Sequence, residues 1–281
     1  MLSQKRNALI ESLRRTGSCL VALSGGVDSA VVAKAAVLAL GDRAVAFTGR
    51  STSLATGELA AAQAVAQAVG IRHVVESTLE IDRPEYVRNA RDRCYHCKSE
   101  LYGRMQAIAA DLNIDVLVNG ANADDLGDYR PGMQAAGEAR VQSPLAECGI
   151  SKDEVRALAK AWDLPVWDKP AAPCLASRIA YGEEVTPSRL RMIDEAEIWL
   201  KELGLGELRV RYHKGDLARI EVPTSGLARL LEGDTRERLV RRFTDIGFKF
   251  VTLDLEGFRS GNLNQLISIE PLVAGSKGRT G

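Results

Sequence analysis

The residues best suited to do chemistry in this 281-residue chain form a short polar segment between two apolar runs. The segment combines small, hydroxyl-bearing and acidic residues: Ser24, Gly25, Gly26, Val27, Asp28 and Ser29. Because it follows the apolar residues 19–23 and precedes the apolar stretch 31–40, we predict a strand that turns directly into a helix. Glycines let the backbone approach an anion, and the N–H groups of a first helical turn point at it. The segment is therefore predicted to bind phosphate.

Asp28 is the only acid in this segment. A carboxylate beside a phosphate repels it unless a divalent cation lies between them, so we predict that Asp28 binds Mg²⁺. Ser24 and Ser29 would add hydroxyl donors. The alternative is a plain glycine turn with a serine cap. A Walker A loop is excluded because no Gly-Lys-Ser/Thr follows, and a dinucleotide fingerprint is excluded because its third glycine is missing.

The six residues resemble the PP-loop of the ATP pyrophosphatases, which implies ATP binding and activation of a substrate by adenylation with loss of pyrophosphate. Independently, four alternations of strand and helix before residue 119 predict an α/β fold with a doubly wound parallel sheet. The PP-loop resemblance implies that this fold is adenine nucleotide alpha hydrolase-like. Ligands bind past the carboxyl ends of such strands. The PP-loop, residues 49–53 and residues 122–128 would meet there. Asp124, in the last of these loops, is a further candidate for the nucleotide site.

The second half of the chain predicts a smaller domain. Ser151 and Glu154 form a capping box for a helix, and residues 163–187 then contain four prolines, which is typical of an extended functional loop. A helix, a hairpin, another helix and a strand follow, which predicts an α+β unit. We therefore predict a PP-loop domain at 1–180, an α+β domain at 181–260, and a partly disordered tail at 261–281.

The overall composition limits the partners and the compartment. Lys and Arg together number 37, as do Asp and Glu, so no net charge attracts nucleic acid. The sequence has no run of ~18 apolar residues and no apolar segment of a signal peptide near its start, which predicts a cytoplasmic protein without a membrane partner. Its five cysteines are then expected to be thiols, metal ligands or reactive centres rather than disulfides.

Two of these cysteines, Cys94 and Cys97, form a Cys-x-x-Cys pair at the start of a predicted helix. The pair alone is compatible with a redox pair, half a zinc site, two cluster ligands, or chance. The helix start, Arg93 and Lys98 are expected to lower the pKa of both thiols and so to favour metal ligation. A second Cys-x-x-Cys is absent, so a four-cysteine zinc site cannot be completed locally.

The other three cysteines differ in their surroundings. Cys174 directly follows Pro173 on the proline-rich loop, with Arg178 nearby, which is a poor place for a core thiol. It is a candidate reactive centre. Cys19 lies in the first apolar strand and Cys148 beside a glycine turn, and both are expected to be structural.

Three charged residues of the second domain are also candidates. Glu197 falls on the apolar stripe of its helix, where an unpaired carboxylate is costly, so it either forms an ion pair or binds a metal or substrate. Arg209 and Arg211 alternate with apolar residues in a predicted strand, so both point to one face. Two guanidinium groups there suit a substrate phosphate, although a solvated strand face is the alternative.

Five motifs together resemble the LarE family of ATP-dependent sulfur transferases, over most of residues 15 to 260. They are Ser-Gly-Gly-Val-Asp-Ser at 24–29, Arg-Cys-Tyr-His-Cys-Lys at 93–98, Gly-Ala-Asn-Ala-Asp-Asp-Leu-Gly-Asp-Tyr-Arg-Pro-Gly at 120–132, Pro-Cys-Leu-Ala-Ser-Arg at 173–178 and Arg-Val-Arg-Tyr-His at 209–213. The resemblance implies a homo-oligomer that makes the nickel-pincer nucleotide cofactor. A carboxylate of pyridinium-3,5-biscarboxylic acid mononucleotide is adenylated, and sulfur then replaces the activated oxygen to give a thiocarboxylate.

The family uses two sulfur sources. Some members sacrifice the sulfur of a cysteine at the position of Cys174, which leaves dehydroalanine. Others hold a four-iron, four-sulfur (4Fe-4S) cluster with three cysteines, and Cys94, Cys97 and Cys174 fit that pattern. The candidate catalytic residues are Cys174 and Asp28, and Glu197 is a further candidate metal ligand.

Rival functions remain open at this point. Within the fold, the chain could be an amidating synthetase or a tRNA thiolase, although the neutral charge argues against tRNA and Cys174 argues against simple amidation. From another class, it could be a nucleotide-binding protein without turnover.

Overall fold

Short apolar strands alternate with helices in the first part of the computed structural model, which describes residues 2–126 and 131–259. The chain divides into two units after Cys174. The predicted domain boundary near residue 180 lies a few residues beyond this division. The predicted tail at 261–281, like residues 127 and 128 of the predicted 122–128 loop, lies outside the described residues.

The elements of the first unit are α1 (Leu2–Arg14), β1 (Cys19–Ala22), α2 (Val27–Leu40), β2 (Ala44–Arg50), α3 (Glu58–Val69), β3 (Arg72–Ser77), α4 (Pro84–Val87), α5 (Arg93–Asp111), β4 (Val116–Val118), α6 (Pro131–Glu138), α7 (Pro144–Glu147) and α8 (Lys152–Ala161). Short 3-10 turns lie at Gly41–Arg43, Glu80–Asp82 and Ala123–Asp125. The order confirms the predicted alternation of strands and helices.

The four strands form one parallel sheet in the order β3-β2-β1-β4. Successive side chains of a strand point to opposite faces. Accordingly, Cys19 and Val21 belong to a core cluster with residues of α1, α2, α3 and α8, whereas Leu20 packs with Phe47 and Met105 in a second cluster. Helices therefore cover both faces, which confirms the predicted doubly wound α/β fold.

The second unit is built around a three-stranded sheet. Its elements are a 3-10 turn (Leu175–Arg178), α9 (Pro187–Glu202), β5 (Arg209–His213), β6 (Leu217–Glu221), α10 (Thr224–Leu231), α11 (Thr235–Ile246) and β7 (Phe250–Leu253). Strands β5 and β6 form the predicted antiparallel hairpin, and β7 pairs with β6 in parallel. The α+β prediction is correct, although helix α10 was not predicted. Among the described residues, no helix is long and apolar enough to cross a membrane.

Candidate active site

The PP-loop lies where β1 ends and α2 begins. Gly26 caps the helix with an extended backbone, and within the described part of the chain no side chain caps the helix N-terminus. The first-turn N–H groups therefore point out of the helix towards a ligand position. The two hydroxyls hold the loop itself: Ser29 Oγ accepts from the Ser24 N–H (3.2 Å) and donates to the Gly26 carbonyl (3.0 Å), and Ser24 Oγ accepts from the Gly26 N–H (3.3 Å).

Two glycines allow the backbone to pack tightly at this loop. Gly25 has a φ of +75°, and a Cβ there would lie 2.8 Å from the backbone nitrogen of Ala62 in α3. A Cβ on Gly120, after β4, would lie 2.8 Å from the backbone nitrogen of Ser29. Any side chain at either position would push the loop away from its neighbours, so the loop is fixed from both sides.

Asp28 and Asp124 lie in one hydrogen-bonded network. The ammonium of Lys152 donates to the Asp28 carboxylate, and Asn122 Nδ2 donates to the other carboxylate oxygen at 3.0 Å. The backbone N–H of Lys152 donates to Asp124 (2.8 Å), and the Asp124 N–H donates to the side-chain oxygen of Asn122 (3.0 Å). Lys152 is the first residue of α8, which carries the predicted capping box of Ser151 and Glu154. Lys152 therefore joins two candidates that are distant in sequence.

Carboxylate oxygens such as those of Asp28 and Asp124 are ligands that Mg²⁺ prefers. In the described residues, however, no group of three or more His, Cys, Asp or Glu side chains is arranged to hold a metal ion. A Mg²⁺ ion at Asp28 would therefore need phosphate oxygens and water as its other ligands, which is its usual arrangement in nucleotide sites. The ion would also replace the Lys152 ammonium as the cationic partner of Asp28.

Cys94, Cys97 and Cys174 share one electrostatic environment in the first unit. Burial raises the pKa of the Cys97 thiol to about 12, and the charges of Cys174, Glu80 and Cys94 raise it further, while Lys98 acts in the opposite direction. The predicted lowering of the Cys97 pKa is therefore wrong, because burial outweighs the helix start and the nearby cation. Cys94 is exposed, and Cys174 is partly buried.

Arg93 is the buried cation of this environment, with only 5% of its surface exposed. It donates to Asn89 Oδ1 at 2.5 Å, and one of its nitrogens lies 3.9 Å from the Cys94 sulfur. Burial alone would lower its pKa, but the charges of Cys174 and Cys94 raise it. A buried guanidinium that interacts with the Cys94 and Cys174 thiols suits a negatively charged sulfur centre. The three thiols have the donor chemistry of a cluster with one open iron, although their spacing in this structure is not that of ligands.

Sequence reasoning missed a polar network beside these cysteines. Tyr86 donates to Ser53 Oγ at 3.0 Å, Ser53 and Ser51 are 2.8 Å apart, and Ser51 donates to the Glu80 carboxylate. Glu80 is 1% exposed, and its other carboxylate oxygen has no hydrogen-bond partner among the described residues. Burial, followed by the charge of Cys174, raises the pKa of Tyr86. The loop at 49–53 was predicted to face the site, but no local pattern pointed to Tyr86 or Glu80.

The remaining cysteines belong to the core, as expected. Cys19 is completely buried, and burial raises its pKa to about 12. Cys148 packs against the same core cluster, and burial raises its pKa as well.

In the second unit, Glu197 forms a buried ion pair with Arg178. Nε and Nη2 of Arg178 donate to the two carboxylate oxygens at 3.0 and 3.2 Å, and the Val210 N–H donates at 3.1 Å. The structure therefore has the ion pair that was one alternative for Glu197. Metal binding by Glu197 stays a prediction, and no metal-ligand group in the described residues supports it.

The tandem arginines are not on a solvated strand face. Arg211 is 7% exposed and donates to Glu221 and to the Ser177 carbonyl, each at 3.0 Å, while its Nε has no hydrogen-bond partner in the described ranges. The guanidinium of Arg209 lies over the ring of Phe258, 5.0 Å from its centroid. Burial, then the charges of Arg178 and Arg211, lowers the pKa of Arg209. The guanidinium groups of Arg178 and Arg211, each paired with a buried carboxylate, therefore lie near that of Arg209.

One family profile and several known proteins match this chain. The profile of the asparagine synthase family matches residues 6–125. An uncharacterized protein of Synechocystis sp. is 47% identical over 268 residues, which cover 95% of this chain and all of that protein. The pyridinium-3,5-bisthiocarboxylic acid mononucleotide synthase of Lactiplantibacillus plantarum is 35% identical over 269 residues, 95% of this chain and 96% of that protein. An uncharacterized protein of Methanocaldococcus jannaschii is 33% identical over 182 residues, 65% of this chain and 69% of that protein.

Proposed function

The chain belongs to the LarE family of ATP-dependent, adenylating sulfur transferases, and we propose that its substrate is pyridinium-3,5-biscarboxylic acid mononucleotide. The product is then the thiocarboxylate used in the nickel-pincer nucleotide cofactor. The observation that carries this proposal is the shared environment of Cys94, Cys97 and Cys174 in the unit that contains the PP-loop. An amidating enzyme needs no such group of thiols.

The first step is adenylation of the substrate. A carboxylate oxygen forms a bond to the α-phosphorus of ATP, and pyrophosphate leaves with the electron pair of the broken P–O bond. The first-turn N–H groups of α2 stabilise the charge on the departing pyrophosphate. Asp28 and Asp124 would hold the Mg²⁺ that shields this charge.

The second step replaces oxygen by sulfur. A sulfur atom forms a bond to the acyl carbon, and AMP leaves with the electrons of the broken C–O bond. Arg93 stabilises the negative charge on the sulfur centre before transfer. When bound to the three cysteines, a four-iron, four-sulfur cluster would supply an open iron that carries exchangeable sulfide. Without the cluster, the Cys174 sulfur itself forms this bond, and loss of the Cys174 α-proton then breaks the Cβ–S bond, which releases the thiocarboxylate and leaves dehydroalanine.

The phosphate of the substrate is assigned to the second unit. Arg209 and Arg211 supply guanidinium groups in β5, and the buried Nε of Arg211 has no hydrogen-bond partner among the described residues. Because Arg211 is already bonded to Glu221, its charge is oriented before the substrate arrives. We further propose a cytoplasmic location, where ATP is abundant, and a homo-oligomeric state.

The test is to incubate the anaerobically purified protein with ATP, Mg²⁺ and the dicarboxylate nucleotide. We expect AMP, pyrophosphate, and a product heavier by the difference between sulfur and oxygen. An amide product formed with ammonia, or thiolation of tRNA instead of the nucleotide, would contradict the proposal. The absence of AMP would mean a nucleotide-binding protein without turnover.

The cluster has a separate test. The anaerobic protein is expected to be brown and to contain about four irons, as this cluster type requires. Cys94→Ser, Cys97→Ser and Cys174→Ser should each lose the iron. A colourless, active protein whose Cys174 becomes dehydroalanine after one turnover would contradict the cluster and support the sacrificial route.

A further inference from the structure

Lys169 connects the segment that carries Cys174 to the PP-loop. Its ammonium donates to the carbonyl of Gly25 at 3.1 Å and to the Glu58 carboxylate at 2.7 Å. The side chains of Lys169 and Glu58 are 22% and 21% exposed, so the pair is mostly shielded from solvent. Glu58 is the first residue of α3. One ammonium thus joins three parts of the chain that are distant in sequence.

The backbone on the N-terminal side of Cys174 is held by α8. Arg156 donates to the carbonyls of Trp167 and Lys169 at 3.0 and 3.1 Å. The ammonium of Lys160 lies over the Trp167 ring, 4.7 Å from its centroid. Residues 170–173, between this point and Cys174, are exposed. Lys169 therefore lies at the boundary between the part of the segment that contacts α8 and the part that is exposed.

The position of the Lys169 ammonium suits a phosphate ligand. A lysine ammonium binds phosphate as a compact point charge, as lysines do in other phosphate-binding loops. Here the ammonium already touches the backbone of the PP-loop, and its anionic partner is Glu58. A phosphate bound at the loop would compete with Glu58 for the same charge.

We propose that Lys169 is a phosphate-contacting and positioning residue, whose ammonium exchanges Glu58 for a phosphate of ATP and so fixes the Cys174 segment when the nucleotide is bound. The inference rests on the proposed sulfur transfer for its purpose, although its chemistry requires only ATP binding. From residue 169 to residue 174 the chain can span at most ~17 Å. A displacement of Lys169 is therefore expected to displace Cys174 as well, because the segment between them is short.

The test compares two variants that break the same ion pair. If Lys169 contacts phosphate, Lys169→Met should weaken ATP binding by about 10- to 100-fold, as expected for a lost charge-assisted hydrogen bond. Glu58→Gln should tighten it, because the competitor is removed. If the pair only holds the loop together, both variants should weaken ATP binding alike, and that result would overturn the inference. Calorimetric titration with ATP measures these affinities.

The second readout is the alkylation rate of Cys174, followed at the peptide level with and without ATP. In the unmodified protein, ATP should change this rate several-fold. The change should vanish in Lys169→Met and return at least in part in Lys169→Arg. Lys201→Met is the matched control, because it removes the charge of an exposed lysine on α9 of the second unit, and it should behave like the unmodified protein.

The two proposals can fail separately. If Lys169→Met and Glu58→Gln have opposite effects on ATP binding but the protein makes no thiocarboxylate, the role of Lys169 is supported and the proposed sulfur transfer is contradicted. If both variants weaken ATP binding equally in a protein that does make thiocarboxylate, only the role of Lys169 is contradicted. If Lys169→Met does not fold, the sign of the Glu58→Gln effect decides alone: tighter ATP binding supports the role, and weaker or unchanged binding contradicts it.

Discussion

The ammonium of Lys152 is bonded to the carboxylate of Asp28, across 124 positions of sequence. The acid that we assign to Mg²⁺ is therefore paired with a lysine in the structure. Lys152 also donates its backbone N–H to Asp124, so the same residue orients both acids. A divalent cation at Asp28 would replace the ammonium of Lys152, whose side chain is 35% exposed.

The first prediction concerns Asp28. Asp28→Asn should keep the fold but reduce pyrophosphate release to the background level, because an amide is an uncharged and weaker ligand for Mg²⁺. Thermal melting and pyrophosphate release are the measurements. Asp42→Asn is the control, since Asp42 lies between α2 and β2 and so at the opposite edge of the sheet. A folded Asp28→Asn protein with undiminished release would disprove the assignment.

The second prediction concerns the tandem arginines. Arg209→Ala and Arg211→Ala should each weaken binding of the nucleotide substrate by about 10- to 100-fold, the value of a charge-assisted hydrogen bond, with a smaller effect on ATP. Arg236→Ala, at an exposed position on α11, is the control. Equal losses for substrate and ATP in folded protein would mean that the arginines are structural.

The third prediction concerns the stability of the second unit. Glu197→Gln leaves the buried Arg178 guanidinium without its counter-charge, and removing one partner of such a pair costs roughly 3–5 kcal/mol. Chemical denaturation should reveal this loss in metal-free protein. Glu202→Gln, at the exposed end of the same helix, should be close to neutral. If Glu197 served only as a metal ligand, the metal-free variant would be as stable as the unmodified protein.

The fourth prediction concerns the reactivity of Cys97. Its pKa of about 12 means that the thiol is almost entirely protonated at neutral pH. Glu80→Gln removes a negative charge that raises this pKa, so the pKa should fall and the thiolate fraction should rise at any pH below it. Alkylation of Cys97 should then become faster, with its pH profile displaced to lower pH. Glu85→Gln, an exposed acid, is the control, and an unchanged profile in Glu80→Gln would contradict the effect.

The sequence predicted what depends on local pattern. The parallel sheet followed from apolar runs that alternate with helices, and the capping box at Ser151 and Glu154 fixed the start of α8 correctly. Helix α10 was missed because Pro223 and Gly226 interrupt the pattern that marks a helix. Short connections of this kind carry too few residues for a clear period.

The contacts of the candidate site could not be predicted in the same way. The pairs of Lys152 with Asp28 and of Lys169 with Glu58 join residues more than 100 positions apart. No spacing in the sequence predicts such pairs, because they depend on which loops meet at one edge of the sheet. The pKa of Cys97 was wrongly predicted for a related reason: the helix start is visible in the sequence, whereas the degree of burial is not.

A single turnover of Cys174→Ser with ATP, Mg²⁺ and the dicarboxylate nucleotide separates adenylation from sulfur transfer. Because Cys174 is needed for sulfur delivery, either as a cluster ligand or as the sulfur source, the variant should still release pyrophosphate but form no thiocarboxylate. The unmodified protein, measured alongside, should form both. Thiocarboxylate produced by Cys174→Ser at the rate of the unmodified protein would contradict the account.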